Sequence, residues 1–204
     1  MTVQGRRGGS KGVPRHDREA QILDAAAIEF GERGYTAATT AAVAERAGVS
    51  KSLVHGYFQS KEGLYCACVR RAGEEVTGRV GAAMLLPGRS GLERATDVLA
   101  AIFTALEARP HDWRVLHDPG LAPGSEADQT ARRYRQILLE QSASGVTGSY
   151  AATLRDPGDL SVLIQVWRNT VTALVSWWLR HPEQSATDMI ARAGRLLVAL
   201  EGPR

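Results

Sequence analysis

Lys51, Ser52 and His55 set an ammonium, a hydroxyl and an imidazole close together in the chain. These groups donate hydrogen bonds to phosphate oxygens and to base edges. What matters is the frame around them. Residues 39–65, TTAAVAERAGVSKSLVHGYFQSKEGLY, read as a short helix, a glycine turn, a second short helix and a cap opening a third. Thr39 or Thr40 can cap the first helix by accepting from an orphan amide, and Val43, Ala44 and Ala47 supply an apolar stripe at helical spacing. Gly48 stands where the chain must turn sharply, and Ser50 is a good cap for the second helix. On that helix Leu53 and Val54 can face inward or outward, while Lys51, Ser52 and His55 point out. In a helix-turn-helix unit the second helix lies in the DNA major groove, and its N-terminal residues meet the bases.

At these residues the chain resembles the TetR family of one-component transcription regulators. The likeness begins at ILDAAAIEFGERGYTAATT, residues 22–40, with a helix ending in Phe30, a Gly34-Tyr35 step and a threonine pair. It continues through AGVSKSLVHGYFQSKEGL, residues 47–64. Leu53 stands where the family often has a small polar residue, and Gly56 where it often has a larger one. The resemblance implies that Thr40, Tyr57 and Lys61 hold phosphates and that Lys51, Ser52, Leu53 and His55 face the groove. The chemistry supports those roles. Lys51 can reach guanine O6 or N7, Leu53 can pack on a thymine methyl, and His55 can contact a base or a phosphate. Phe30, Tyr35 and Phe58 are expected to form the small domain's core. The resemblance also implies homodimers, an inverted-repeat operator on double-stranded DNA, and release by a small molecule entering the C-terminal domain.

The formal charge excess lies wholly at this end. Residues 1–61 carry nine Lys and Arg against six Asp and Glu, and the remainder carries sixteen of each. That supports phosphate binding without establishing it. Residues 1–15, rich in Gly and Arg, have no periodicity and are expected to be a disordered arm. Arg6, Arg7, Lys11 and Arg15 could enter a minor groove or add only nonspecific attraction. The domains expected are this arm, a reader over 16–60 and a helical domain over 61–204.

After Ser60 the pattern is helical throughout: 61–84, 91–108, 112–116, 126–154, 160–179 and 187–200, separated by Pro- and Gly-containing breaks. No strand pattern competes, so the fold class is all-α with about nine helices, three in the reader and six behind it. Gly73, Gly78 and Gly81 should weaken the long helix over 61–84, which suits a connector that must shift. Residues 160–179 are apolar nearly all round, and Met189, Ala193, Leu196, Leu197 and Leu200 make a stripe on the last helix. Two such helices from each of two subunits would form a four-helix interface, and a central helix buried within a monomer would show the same pattern. Phe103, Trp113, Leu116, Tyr134, Leu138 and Trp167 are the candidate lining of an apolar effector cavity, and each could equally be plain core.

Enzymatic readings find little. His111-Asp112 and His117-Asp118 look like metal pairs, but six residues turn a helix by about 600° and leave the histidines on different faces. Capping and surface roles are expected instead. Cys66 and Cys68, two apart on a helix, also face different ways and are expected to be buried small residues. There is no phosphate loop, zinc spacing or nucleophile elbow. No catalytic residue, metal or cofactor is therefore assigned. With no apolar run of spanning length and no secretory leader pattern, a cytoplasmic protein without membrane contact is expected. A nonspecific architectural DNA binder without effector response is the competing function.

Overall fold

The structure, a computed structural model, describes residues 14–201. Arg6, Arg7 and Lys11 of the predicted arm, and the Leu200 side chain of the last stripe, lie outside what is described. Among the described residues there are nine helices and no strand: α1 (Arg15–Ala37), α2 (Thr40–Arg46), α3 (Lys51–Phe58), α4 (Lys61–Met84), α5 (Gly91–Leu106), α6 (His111–Leu116), α7 (Glu126–Tyr150), α8 (Pro157–Trp178) and α9 (Ala186–Glu201). Arg15, placed in the arm by sequence, is the first residue of α1. The helix starts follow from capping side chains. Thr39, Ser50, Ser60 and Ser125 each accept an amide hydrogen from their own first turn, and Ser90 completes a reciprocal capping box with Glu93. Asp156-Pro157-Gly158, read in sequence as a break, is instead the start of α8. Asp156 accepts from Gly158 N–H at 2.7 Å, and Pro157 fits the first turn because its missing N–H would have been an orphan there.

α4 is the spine: it packs on α7, α5, α6 and α1, while α9 lies on α5 and α8 on α7. Cys66 and Cys68 show its two-sidedness. Both are fully buried, Cys66 accepting from Thr130 Oγ1 of α7 and Cys68 meeting the Leu23 carbonyl of α1. Burial pushes both thiols up from their ordinary pKa, which makes them inert. Gly73 is not a point of weakness, as its helix propensity suggested. A Cβ there would run into the Tyr134 ring, so its bare face is what lets α7 approach. Of Gly73, Gly78 and Gly81, only Gly78 faces open space.

Two aspartates expected at the surface are buried. Asp112 is 2% exposed between Arg109 (3.2 Å) and Arg71 (3.8 Å), and burial raises its pKa. Asp118 is 8% exposed and accepts from Gly120 N–H (2.7 Å) and from Tyr35 N–H (2.5 Å). The second bond explains a bend in α1. Gly34 takes φ +73°, which breaks the helical ladder there, and Asp118 satisfies the Tyr35 amide that follows.

Gly73→Ala tests the α4–α7 packing. Helix propensity alone would stabilise that variant by up to ~1 kcal/mol, whereas overpacking against Tyr134 should destabilise it by about 1–3 kcal/mol. Urea unfolding is expected to show a lower midpoint with an unchanged slope.

Candidate nucleic-acid interface and effector cavity

Five of the seven residues assigned to DNA by sequence come together. Thr40, Lys51, Ser52, His55 and Lys61, with Val54 and Ser60, line a hollow of about 410 Å³ that contains no acidic side chain. Helix geometry accounts for this. Ser50 caps α3 through Leu53 N–H (3.1 Å) and also meets the Ser52 hydroxyl (2.9 Å), which fixes the first turn of α3 beside the start of α2. Val54 forms the floor of the hollow and is buried in the core with Val43, Ala44 and Phe30. Lys61 comes from the first turn of α4. Its ammonium donates to Thr36 O (3.1 Å) and lies 4.7 Å from the centre of the Tyr35 ring, so it is positioned before any ligand arrives.

The other two stand apart. Leu53 is half-buried and outside the hollow. Tyr57 donates to Arg15 O (3.4 Å), with the Arg15 guanidinium 5.5 Å from its ring centre, tying α3 to the start of α1. Phe30 is core as expected, and Tyr35 and Phe58 pack partly buried against it. Phe30 and Tyr35 both meet Tyr65 edge-on, at 4.8 and 5.0 Å. Sequence reasoning missed Ser60 as a lining residue and Gln21, whose amide donates to Ala47 O (2.7 Å) across the glycine turn.

A cavity of about 400 Å³ opens at the far end of α4, among α5, α7, α8 and α9. Of the six predicted lining residues only Trp167 reaches it. Phe103 is fully buried, edge-on to Trp178 at 5.3 Å, and Leu116 is core. Tyr134 lies over Gly73, Leu138 packs against the core, and Trp113 stacks on His117 at 4.2 Å. The correction has a steric cause. Where the large side chains sit, the helices touch. Space remains where they are small, at Ser142, Gly145 and Ser149 on α7 opposite Gly91 and Ala95 on α5. That small-residue spacing was the available sequence clue. Leu197, assigned to the dimer stripe, also lines the cavity, and Met189 and Ala193 are buried within the subunit.

A second hollow, about 480 Å³, separates α1, α6 and α8 at Gly34, His117, Asp118 and Arg180. Burial pushes His117 down to about 4, so its ring is neutral at pH 7, with Nδ1 3.0 Å from Trp113 O. Among the described residues no group of three His, Cys, Asp or Glu is placed to hold a metal ion.

Comparison with known proteins adds a family to this geometry. The model for bacterial regulatory proteins of the tetR family matches residues 22–68. The chain is 29% identical over 190 residues to the HTH-type transcriptional repressor KstR of Rhodococcus jostii, covering 91% of this chain and 82% of that one. It is 36% identical over 104 residues to the HTH-type transcriptional activator FasR of Mycolicibacterium smegmatis, covering 51% of this chain. The match spans less than half of FasR, 43% of its length. In fold it is similar to a TetR-like transcriptional regulator from Rhodococcus sp. RHA1, with TM-score 0.72 and 24% identity, covering 94% of this chain and 100% of that one. It is also similar to FadR from Bacillus subtilis, solved in complex with stearoyl-CoA, with TM-score 0.66 and 20% identity, covering 89% and 96%.

If the hollow holds phosphates and Leu53, half-buried beside it on α3, packs on a base, two substitutions should separate the two contributions. Lys61→Ala is expected to weaken all duplexes alike and to flatten the dependence of log K on log salt by about 0.9 for the one phosphate lost. Leu53→Ala should leave that slope unchanged and relax preference at one T·A pair by roughly 1 kcal/mol. Fluorescence anisotropy across a salt series and a panel of duplexes measures both.

Proposed function

The chain belongs to the TetR family of DNA-binding transcriptional regulators, and from that premise we propose a cytoplasmic, homodimeric repressor released from an inverted-repeat operator by a largely apolar small molecule. The observation that carries this reading is the span of α4. Its first residue, Lys61, lines the acid-free hollow, and its last turns, at Val80 and Met84, line the cavity. The helix is 24 residues long, about 36 Å at 1.5 Å per residue. A molecule that presses on Met84 therefore acts on the same rigid element that holds Lys61. Repression rather than activation is favoured because the likeness to the repressor KstR runs through the effector half, whereas the likeness to the activator FasR covers about half of this chain.

The reader domain is too small to specify a long site alone, so two copies must act together. α8 and α9 supply the surface. Val162 (63% exposed) and Val166 (53%) on α8, with Leu196 (46%) and Val198 (58%) on α9, are left uncovered by the single chain. Pairing α8 and α9 with the same helices of a second copy would bury these side chains in a self-complementary four-helix contact. The relatives are regulators and not enzymes, and no helix among the described residues is long and apolar enough to cross a membrane.

Selection of bound fragments from genomic DNA, followed by footprinting, tests the function. The proposal expects an inverted repeat with half-site centres about 34 Å or a multiple apart. Binding without sequence preference would make this an architectural protein. Val162→Glu combined with Val198→Glu tests the dimer. Both positions are exposed in the single chain, so helicity by circular dichroism should be retained. Sedimentation should shift from dimer to monomer because carboxylates cannot be buried unpaired in an apolar seam. Operator affinity should fall with it by at least about a hundredfold, the loss of one half-site's contacts.

A further inference from the structure

The cavity among α4, α5, α7, α8 and α9 is walled mainly by apolar side chains, among them Val80, Met84, Val98, Leu163, Trp167 and Leu197; Gln141, Ser149 and Tyr150 also line it, while two of its hydroxyls are engaged within their own helices. Ser142 donates back to Leu138 O (2.8 Å) and Thr170 to Val166 O (2.9 Å), each within its own helix. One formal charge lines it, the half-buried guanidinium of Arg94. Arg94 stands in the first turn of α5 and spends one N–H on Met84 O (2.6 Å), a carbonyl at the end of α4. The nearby carboxylates are engaged elsewhere: Asp97 with Arg89 at 2.8 Å, and Glu93 with Ser90 N–H at 2.8 Å. No carboxylate among the described residues forms an ion pair with Arg94, and none lines the cavity. A guanidinium has five donors in a planar fork that matches a carboxylate or a phosphate. Leu85, 84% exposed, and Leu86, 40% exposed, follow Met84 directly and make an apolar lip beside it.

Resting on the reading of this cavity as the effector site, we propose that its effector is an amphipathic anion: an acyl chain lying along Val98, Leu163 and Trp167, with an anionic group at the mouth paired to Arg94. The anionic group can be the carboxylate of the free acid or a phosphate of its coenzyme A thioester, since both offer oxygens to the same fork. A cation is disfavoured by the Arg94 charge. A neutral molecule of the same shape would leave that charge desolvated and uncompensated.

Isothermal titration of the full chain with laurate, lauroyl-CoA and lauryl alcohol tests this. Wild-type protein is expected to bind at least one of the two anions about tenfold or more tightly than the alcohol, as a charge-assisted contact requires. Preference for laurate would identify a free acid, and preference for the thioester a conjugate. Arg94→Gln should remove the anion's advantage while leaving the alcohol within about twofold, and Arg94→Lys should restore part of it. Equal affinity of wild-type protein for the alcohol and both anions, or failure of all three to bind, would overturn the proposal without recourse to any variant. Operator binding by the same preparation keeps the two readings apart. Intact sequence-specific binding with no anion preference sinks the anion proposal alone, and loss of specific DNA binding sinks the regulator.

Discussion

Tyr134 lying against the bare backbone of Gly73 decides where the rest of the effector domain can go. A helix pair that closes to this distance cannot enclose a ligand at the point of contact, and large side chains nearby are consumed as core. The pair can open only further along, where α7 carries Ser142, Gly145 and Ser149, and there the cavity lies. The same contact makes α4 a stiff element through the middle of the molecule. In the proposed regulator, displacement of its C-terminal turns would be passed to its N-terminal turn and not absorbed by bending. The glycines of α4 therefore divide between uses: Gly73 serves packing, Gly81 accommodates the Gln141 amide, and Gly78 alone faces open space.

The reader is joined to this spine by polar contacts that a small shift could disturb. Tyr65 of α4 donates to Val115 O of α6 at 2.6 Å, and Asp118 just beyond α6 holds the Tyr35 amide at the bend of α1. Thr36 donates to Gly120 O at 3.2 Å, and Lys61 to Thr36 O at 3.1 Å. A close fit of α1 on α6 supports them, since a Cβ on Gly31 would come within 2.7 Å of His111 Cβ. The orientation of α1 is thus tied to α6 and α4 together. The second hollow, between α1, α6 and α8, is the space into which such a shift could proceed.

The reader was legible in the sequence because its determinants are local. Thr39, Ser50 and Ser60 cap within three residues of themselves, Gly48 turns at φ +63°, and the outward positions of a short helix follow from its period. Those local rules suffice to group Lys51, Ser52 and His55 with Thr40 and Lys61. The cavity was legible only at Trp167, because most of the large aromatic side chains are consumed where helices meet. Phe103, Tyr134 and Trp113 went to the core for that reason. The buried role of Asp118 went unread for a related one: its partner, the Tyr35 amide, lies 83 residues away and is freed only by the Gly34 bend. The place of Leu197 in the cavity wall went unread because an apolar stripe on α9 does not say which of its sides meets α5.

The central claim, that occupancy of the cavity is read out by the DNA-facing hollow through α4, can be tested without knowing the effector. Gly145 lines the cavity with its Cβ direction 3.7 Å from Met84 Cε, so Gly145→Phe fills the space from within and presses on the end of α4. Operator affinity should be measured for this variant and for wild type at equal dimer occupancy. The account predicts a loss of about 5- to 150-fold, the range of ordinary allosteric coupling, with the salt slope unchanged because the variant must regain the same bound arrangement, and so the same phosphate contacts, whenever it binds. A folded, dimeric variant that binds the operator as tightly as wild type would contradict it.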